Sequence, residues 1–567
     1  MAPEVETARK RLLRRYKALL RERQDWDLKW RQIAEWVRDI RWQDDSRLKN
    51  EPPKASDKII NPRSLLSGRT LVAGFTSGFT SSTRPWFQLH VPGVDLSRVS
   101  GAGEWLYREQ EATREVLAKS NFYNQAMVFY DDLSNFETAV MIADEDDKDT
   151  VRFYVLPPGS YCLATSHRQE LDTLYRRSLM TVEQLVDKFG EENVSARVRD
   201  MLEQGGHLDE WVEVLHVIEP NKEHVQGDYR PVRRPWLSTW LEVDANEEDG
   251  LLRENGYFSK PFAAARWAVH GDNVYGSDGP GSLALGPSKS IQHLEVRKGK
   301  LVDKMSDPPM RGPASMMGRT ASLLPGALTY DVDSGPGARF EPALVIQPQS
   351  IGEVKEAISQ FERQIEQCYY EDLWLHLARM ERREMTAREI DKREQEQMWQ
   401  LGPVVERVQE EFVEVIIERV WDSRLRRGDV APPPQEMSGL EIKVENISIL
   451  AGAQKMLEMA GIREWVMFAQ GLAQMNPDVM DKIRFDRAMD STADKIGVPP
   501  EIVATDEEVA QIRQARAEAM AEQQQMEQAE AMGRAGRDMS QAKLEDDSIA
   551  TRVLDQIGGV IGGQAGP

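Results

Sequence analysis

The sequence predicts a multidomain α+β chain in which long helices carry a smaller β-rich insertion. Three observations lead there. Apolar residues step by three and four over long stretches beginning near residues 12 and 351, β-prone runs recur between turn residues over the first 280 positions, and a Pro/Gly-rich segment at 306–349 separates two helical stretches. With 567 residues and about 150 per domain, three or four packed units are expected. Hydrophobic residues make up 40% and charged residues 29%, which excludes a wholly disordered chain.

In chain order, Leu12, Tyr16, Leu19, Arg23, Trp26, Trp30, Ile33, Val37 and Ile40 draw one stripe along a long helix, with Arg23 its only polar member; Pro52 and Pro53 stop it. Ser64 to Gly78 is rich in small residues and reads as a helix with close neighbours. Another helix fits Glu104 to Lys119. Strands are expected at Val151 to Leu156, Leu171 to Leu179, Trp211 to Ile218, Trp236 to Val243 and Phe262 to Val269, each bounded by Pro, Gly or Asn/Asp turns. Thr181 and Gln184 form a capping box that opens a short helix, which Gly190 closes. After the breaks at Asp272 to Pro280, a helix of about four turns fits Ile291 to Met305, and Pro308, Pro309 and Pro313 end it. Short β-prone pieces follow at Ser322 to Leu324, Leu328 to Val332 and Leu344 to Ile346, as in an exposed module set between two helices.

The second of those helices carries Ile351, Val354, Ile358, Phe361, Ile365 and Cys368, a heptad stripe that requires a like neighbour. Charge dominates Arg379 to Glu396. Within it Thr386 and Glu389 form a second capping box, so the helix is interrupted and restarted, continuing through Val405, Val408, Phe412 and Val415 to Gly428. A linker at Pro432 to Pro434, a strand at Leu440 to Leu450 and helices from Met456 to Ile496 complete the packed chain. The stretch from Glu501 to Pro567 holds 13 acidic and 6 basic residues and reads as a helix with a disordered, Gly-rich end.

Composition also limits function. A net charge of -22 repels a polyanion, so DNA should slide past this chain instead of being wrapped by it. Cys162 and Cys368 are too few for a disulfide framework and lack zinc-ligand spacing, so a reducing compartment is expected. No apolar run is long enough for a membrane span, and the N-terminus lacks the apolar core of a secretory signal. Gly281 to Ser290 comes nearest to a phosphate loop, but Lys289 stands two residues late and a proline replaces an amide donor; a helix-entry turn is the simpler reading. The acidic run Asp144, Glu145, Asp146, Asp147 and Asp149 reads as a solvated turn, because consecutive carboxylates do not converge on a metal pair. His216 and His224 lack metal-ligand spacing, and no serine lies in a nucleophile-elbow motif. The methionines Met456, Met459, Met467, Met475, Met480 and Met489 fit core filler better than a binding surface. The basic cluster from Arg9 to Arg23 fits a solvated helix face better than a DNA or subunit contact. No cofactor or metal site is expected.

The segment KIINPRSLLSGRTLVAGFTSGFTSSTRPWFQL at 58–89 resembles the signature of head-to-tail connector, or portal, proteins of short-tailed bacteriophages. In the same family order come Ser120-Asn-Phe-Tyr123, Val151-Arg-Phe-Tyr-Val-Leu-Pro157, Val274-Tyr-Gly276 with Gly279-Pro-Gly281, Asp307-Pro-Pro309, Leu324-Pro-Gly326, Met385-Thr-Ala-Arg-Glu389 and Leu401-Gly-Pro403. The resemblance runs from about residue 5 to about residue 515. It implies a multidomain portal fold: a mixed wing at 1–280, a first stem helix at 281–305, a clip at 306–349, and a second stem helix at 350–380 packed through Ile351, Val354, Ile358, Phe361 and Ile365. A tunnel loop and long helix would follow at 381–428, a linker and strand at 429–455, a helical crown at 456–514 and a C-terminal helix with flexible tail at 515–567.

The resemblance further implies a homo-dodecameric ring at one capsid vertex, in the virion between head and tail and in the host cytoplasm during assembly. Double-stranded DNA would be packaged and later ejected through it. Its expected partners are the terminase large subunit, the major capsid and scaffolding proteins and tail adaptor proteins, with no membrane. Arg379, Arg382, Arg383 and Arg388 face DNA in the channel under this reading, beside the cap formed by Thr386 and Glu389; the alternative is that these arginines pair with Glu381, Glu384 and Glu389 on a solvated face. A second function class, a nucleotide- or metal-dependent enzyme of DNA packaging or processing, would need a nucleotide loop or convergent carboxylates.

Overall fold

The computed structural model describes residues 7–38, 58–91, 102–246, 249–308, 310–311, 341–342, 347–380, 401–434, 443–446, 465, 467–468, 484, 489 and 509–530. Helix α1 (Ala8–Trp36) opens on Thr7, whose hydroxyl accepts from the Lys10 amide. Its predicted stripe is buried at Leu12, Tyr16, Leu19, Trp30 and Ile33. The intruder Arg23 is buried too: it donates to the Tyr161 carbonyl and pairs with Asp27 at 2.9 Å, so its charge is matched inside the core. Arg9 is likewise buried and donates to the carbonyls of Glu242, Val243 and Ala245, which corrects the reading of the whole basic cluster as a solvated face.

Helix α2 (Arg63–Phe79), strand β1 (Phe87–His90), helix α3 (Ala102–Lys119) and helix α4 (Phe122–Phe136) precede two antiparallel sheets. The smaller has the order β3-β2-β9, with β2 at Thr138–Asp146, β3 at Thr150–Leu156 and β9 at Phe262–Arg266. The larger runs β4-β5-β6-β7-β8, with β4 at Tyr161–Thr165, β5 at Leu171–Thr181, β6 at Trp211–Pro220, β7 at Trp236–Glu242 and β8 at Leu251–Tyr257. Leu12, Tyr16 and Leu19 of α1 pack against Cys162, Tyr175, Leu215, Val217 and Leu241 on one face of it. On its other side lie α5 (Val182–Phe189) and α6 (Ala196–Glu203), through a cluster that includes Val182, Leu185, Phe189, Val198 and Trp240. The capping box at Thr181 and Gln184 is present with both of its hydrogen bonds, and Gly190 ends α5 at φ 87°.

All five predicted strands are present. The acidic run needs correction, because Asp144, Glu145 and Asp146 belong to β2 and only the residues after them turn. The outer edge of β3 is covered by side chains: Asn121 both donates to the Phe153 carbonyl (2.8 Å) and accepts from its amide (2.9 Å), while Gln125 accepts from the Val155 amide (3.1 Å). Two of the sequence motifs thus meet, and the ladder gains partners where a bare edge would invite another strand.

Beyond the sheets come α7 (Pro280–Leu283), α8 (Leu285–Ser306), a two-residue ladder of β10 (Met310–Arg311) with β11 (Glu341–Pro342), α9 (Pro348–Cys368) and α10 (Glu371–Met380). Helix α11 (401–408) continues through a π-helical segment at Gln409–Glu414 into α12 (Val415–Arg427), which Gly428 caps at φ 79°. Strand β12 (Lys443–Asn446) pairs antiparallel with β1. The contacts separate two compact units where chain length suggests three or four; one holds the elements above from Leu106 to Pro432. In the other, helix α13 (509–530) is exposed along nearly its whole length.

Candidate functional site

Helices α8 and α9 pack together as a hairpin: the chain leaves along α8, returns along α9, and the β10–β11 ladder joins their far ends. Burial falls along α8. Ser288, Ile291 and Gln292 are buried near its start, whereas Val296, Val302 and Met305 are 40, 45 and 37% exposed. On α9 the predicted stripe divides. Ile358 and Ile365 are buried, while Ile351, Val354, Phe361 and Cys368 are only half-buried. Residues 354, 357, 361, 364 and 368 alternate steps of three and four, the spacing of a second coiled-coil seam beside the filled one.

The base of this hairpin is held by the segment that opens α2. The Gln292 carboxamide accepts from the amides of Ile60 and Asn61, both at 2.8 Å, and donates to the Asn61 carbonyl at 2.9 Å. The Asn61 side chain donates to Glu362 (3.1 Å) and Glu295 (3.3 Å), so one residue ties both helices. Arg63 pairs with Glu366 on α9 and Glu371 on α10, each at 2.7 Å, and Ser67 donates to Glu371 at 2.6 Å. Ser64 and Ser288 share a hydrogen bond of 2.6 Å. The small residues of α2 make room for aromatic rings: a Cβ on Gly74 would stand 2.2 Å from the Trp374 ring, and one on Gly68 would be 3.5 Å from that of Tyr369. Tyr369 is buried and donates to the Asn135 carboxamide at 2.8 Å, and burial raises its hydroxyl pKa.

A second anchor centres on Glu137, whose backbone is left-handed at φ 63° and whose carboxylate is buried. Lys29 of α1 reaches both carboxylate oxygens at 2.8 Å, and the Gly279 amide donates to one at 3.0 Å. A Cβ on Gly276 would lie 2.0 Å from the Glu137 carbonyl, and one on Gly281 would lie 2.4 Å from that of Asn135. These glycines therefore let the entry to α7 and α8 approach the end of α4. Lys289, considered for a phosphate loop, donates instead to Gln32 of α1 at 2.8 Å, and Gly279 to Leu283 form a helix entry.

The helix from 401 to 427 is clasped to the smaller sheet. Arg419, fully buried, donates to the Ala143 carbonyl (3.2 Å), Ser259 (3.1 Å) and Glu145 (3.0 Å), and Arg426 reaches the same Glu145 at 2.8 Å. Arg424 pairs with the buried Glu109 at 2.7 Å, and Arg266 grips Glu411 of the π segment. Phe412 stacks on Phe129 with ring centres 4.0 Å apart. What the sequence reads as a solvated acidic turn is in part an arginine-bound structural joint.

The hairpin thus brings together Ile351, Val354, Ile358, Phe361 and Ile365 on one helix. Arg379 lies in α10; Arg382, Arg383, Arg388, Thr386 and Glu389 lie outside the described residues, as do most of the clip segment and most of the Met456 to Ile496 stretch. Among the described residues no three His, Cys, Asp or Glu side chains are placed to hold a metal ion, and no helix is long and apolar enough to cross a membrane. His216 is buried beside Ser238, and His224 lies 2.8 Å from the Arg233 carbonyl. Sequence reasoning missed Asn61, Arg63 and Gln292. The available signal was a cluster of polar residues, Asn61 and Arg63, at the mouth of a helix otherwise rich in small residues.

The family described as bacteriophage head to tail connecting protein matches residues 9–503. The chain is 34% identical over 555 residues to the portal protein of Salmonella phage epsilon15, covering 98% of this chain and 99% of that protein. It is 32% identical over 539 residues to the probable portal protein of Bordetella phage BPP-1, covering 95% and 96%. Among solved structures, it overlaps a chain in the neck of an empty gene transfer agent (GTA) particle with 9% identity and a TM-score of 0.30, over 68% of this chain and 80% of that one. A chain from the native GTA virion overlaps with 9% identity and a TM-score of 0.29, over 73% and 86%.

Proposed function

We propose, because the chain belongs to the family of bacteriophage head to tail connecting proteins, that copies of it close into a ring at one vertex of the capsid and form the conduit through which the genome is packaged and ejected. Portal proteins are a structural family, and this chain is not an enzyme. The observation that carries the ring is the half-covered hairpin: among the described residues, α9 fills one seam inside the chain and leaves a second seam, with Val296, Val302 and Met305 of α8, only partly covered. An unlike-face contact repeated by a rotation that divides a full turn covers both surfaces and closes a ring. In this reading residues 306–349 are the clip that meets the terminase and later the tail adaptors, 456–514 are the crown, and the major capsid and scaffolding proteins are further partners of the ring.

Twelve copies at -22 each would give the channel a field that repels phosphate and lets DNA slide. Class averages or native mass spectrometry of the purified protein at assembly concentrations should show closed rings with a central channel; only monomers and dimers would contradict the reading. Arg379, Arg382, Arg383 and Arg388, beside the cap of Thr386 and Glu389, are proposed as the residues that meet DNA. Replacing Arg382 and Arg383 by Ala should lower genome packaging or retention while rings still form. Normal values of both would remove DNA contact from these residues and leave the ring untouched.

A further inference from the structure

Where α9 gives way to α10, backbone and surface depart together from the regular helix. Tyr370 is left-handed at φ 53°, a conformation that residues other than glycine adopt only against steric resistance. Beside it opens a cleft of about 390 Å³ lined by Leu283, Pro287, Gln364, Gln367, Cys368 and Tyr370. None of the six is charged. A phosphate, a carboxylate or a cation would find no counter-charge there, whereas a neutral, largely apolar surface would find aliphatic walls and two carboxamides. Leu283 is 51% exposed, so the cleft is half finished in a single chain.

The cleft also lies at the end of a track. Gln364 and Cys368 are the last two positions of the unfilled α9 seam that begins at Val354, while Ile358 and Ile365 of the neighbouring seam are already buried within the chain. Whatever covers Val354 and Phe361 along the helix therefore arrives at this opening. In a ring of unlike faces, the surface that arrives is another copy.

We propose that this cleft is a socket that receives the base of the adjoining copy's helical hairpin, and that the left-handed Tyr370 holds its ring as one wall. The proposal rests on the ring reading and adds to it a specific seat at the foot of the stem. The two cysteines supply the test. Cys162 is buried and Cys368 lies in the cleft, half-buried, with its thiol pKa raised by burial, so alkylation is best followed in mildly alkaline buffer. Mass-resolved alkylation of the full-length protein should modify Cys368 in the dissociated chain and slow by about tenfold or more once rings form, with Cys162 protected in both.

Two variants separate the socket from the fold. Leu283→Asp places a charge on an exposed edge and should raise the concentration needed for assembly by about tenfold or more. Tyr370→Gly suits the left-handed backbone and removes only a half-buried ring, so the free chain should still fold while its assembly weakens. Rings that leave Cys368 as reactive as in the free chain, or that form unchanged from both variants, would overturn the socket and spare the ring. A chain that never passes beyond monomers and dimers would overturn the ring reading, and the socket with it.

Discussion

His216 shows how a single buried residue sets a pH response. Its ring stacks on Trp240 with centres 3.9 Å apart, and its Nε2 lies 2.9 Å from the Ser238 hydroxyl. Burial first, then the positive charges of Arg176 and Lys188, hold its pKa well below the ordinary 6.5. The unfolded chain thus takes up a proton near pH 6.5 that the folded chain refuses, so stability falls as pH drops through that value. Lys188 and Lys260, each brought down to about 8 by burial from an ordinary 10.5, act with the same sign at higher pH, so their contribution climbs from about pH 8 until the buried tyrosines, whose pKa values burial raises, oppose it near pH 10. Melting temperature measured against pH should show the acid limb in the parent and a flatter one in His216→Phe. The close glycines give a second prediction at this scale. Gly281→Ala should destabilise by about 1–3 kcal/mol, because its Cβ meets the Asn135 carbonyl at 2.4 Å. Gly299→Ala, on α8 with nothing within 4 Å of the new carbon, should stabilise the free chain by about 0.5–1 kcal/mol in the same denaturation experiment.

Among elements, the legible ones are those whose signal is local. The capping box at Thr181 and the glycine caps at Gly190 and Gly428 are written in adjacent residues, and strands such as β6 and β7 are rich in β-branched and aromatic residues between clear turns. Strands β2, β4 and β8 escaped notice for different reasons: β2 ends in three acidic residues, β4 has five residues, and β8 contains Arg253, Glu254, Asn255 and Gly256. Their pairing partners, not their own propensities, make them strands. The polar residues Asn61 and Arg63 stand out locally, but their pairing with Gln292 and Glu371 does not, since those partners lie more than 200 positions away in the chain. The π segment is another such element. Val405, Val408, Phe412 and Val415 step by four and three as in any helix, yet the wider turn at Gln409–Glu414 brings Phe412 between Phe122, Phe129 and Tyr130 and Glu411 to Arg266. Phe412→Ala should therefore cost about 3–5 kcal/mol in chemical denaturation of the free chain, as expected for a buried aromatic whose site cannot collapse. A loss below about 1 kcal/mol would mean that the π segment is not packed as described.

At the scale of the whole molecule, two compact units divide the work differently from the order of the chain. The unit that holds both sheets, the hairpin and helix 401–427 contains the buried ion pairs and the aromatic clusters described above, and the portal relatives at 34 and 32% identity match essentially all of this chain. Helix α13 has another character. It belongs to the second unit, and Ile512, Met520 and Met526 along it are 53, 59 and 72% exposed. Its residues are mostly Ala, Gln and Glu, good helix formers that need no packed face to stay helical once a helix is nucleated. Removing everything after Ala515 therefore deletes exposed helix and acidic tail but none of the buried anchors at Asn61, Glu137 or Arg419. The truncated chain should melt at the parent temperature, because the described residues that it loses, 516–530, are all exposed. If ring closure depends on the α8–α9 hairpin, it should also assemble at the parent concentration, which native mass spectrometry of the two proteins side by side measures directly. A truncated chain that folds normally yet forms no rings would move the closing contact from the hairpin to the C-terminal helix, whose exposed Met520 and Met526 would then be the first residues to replace.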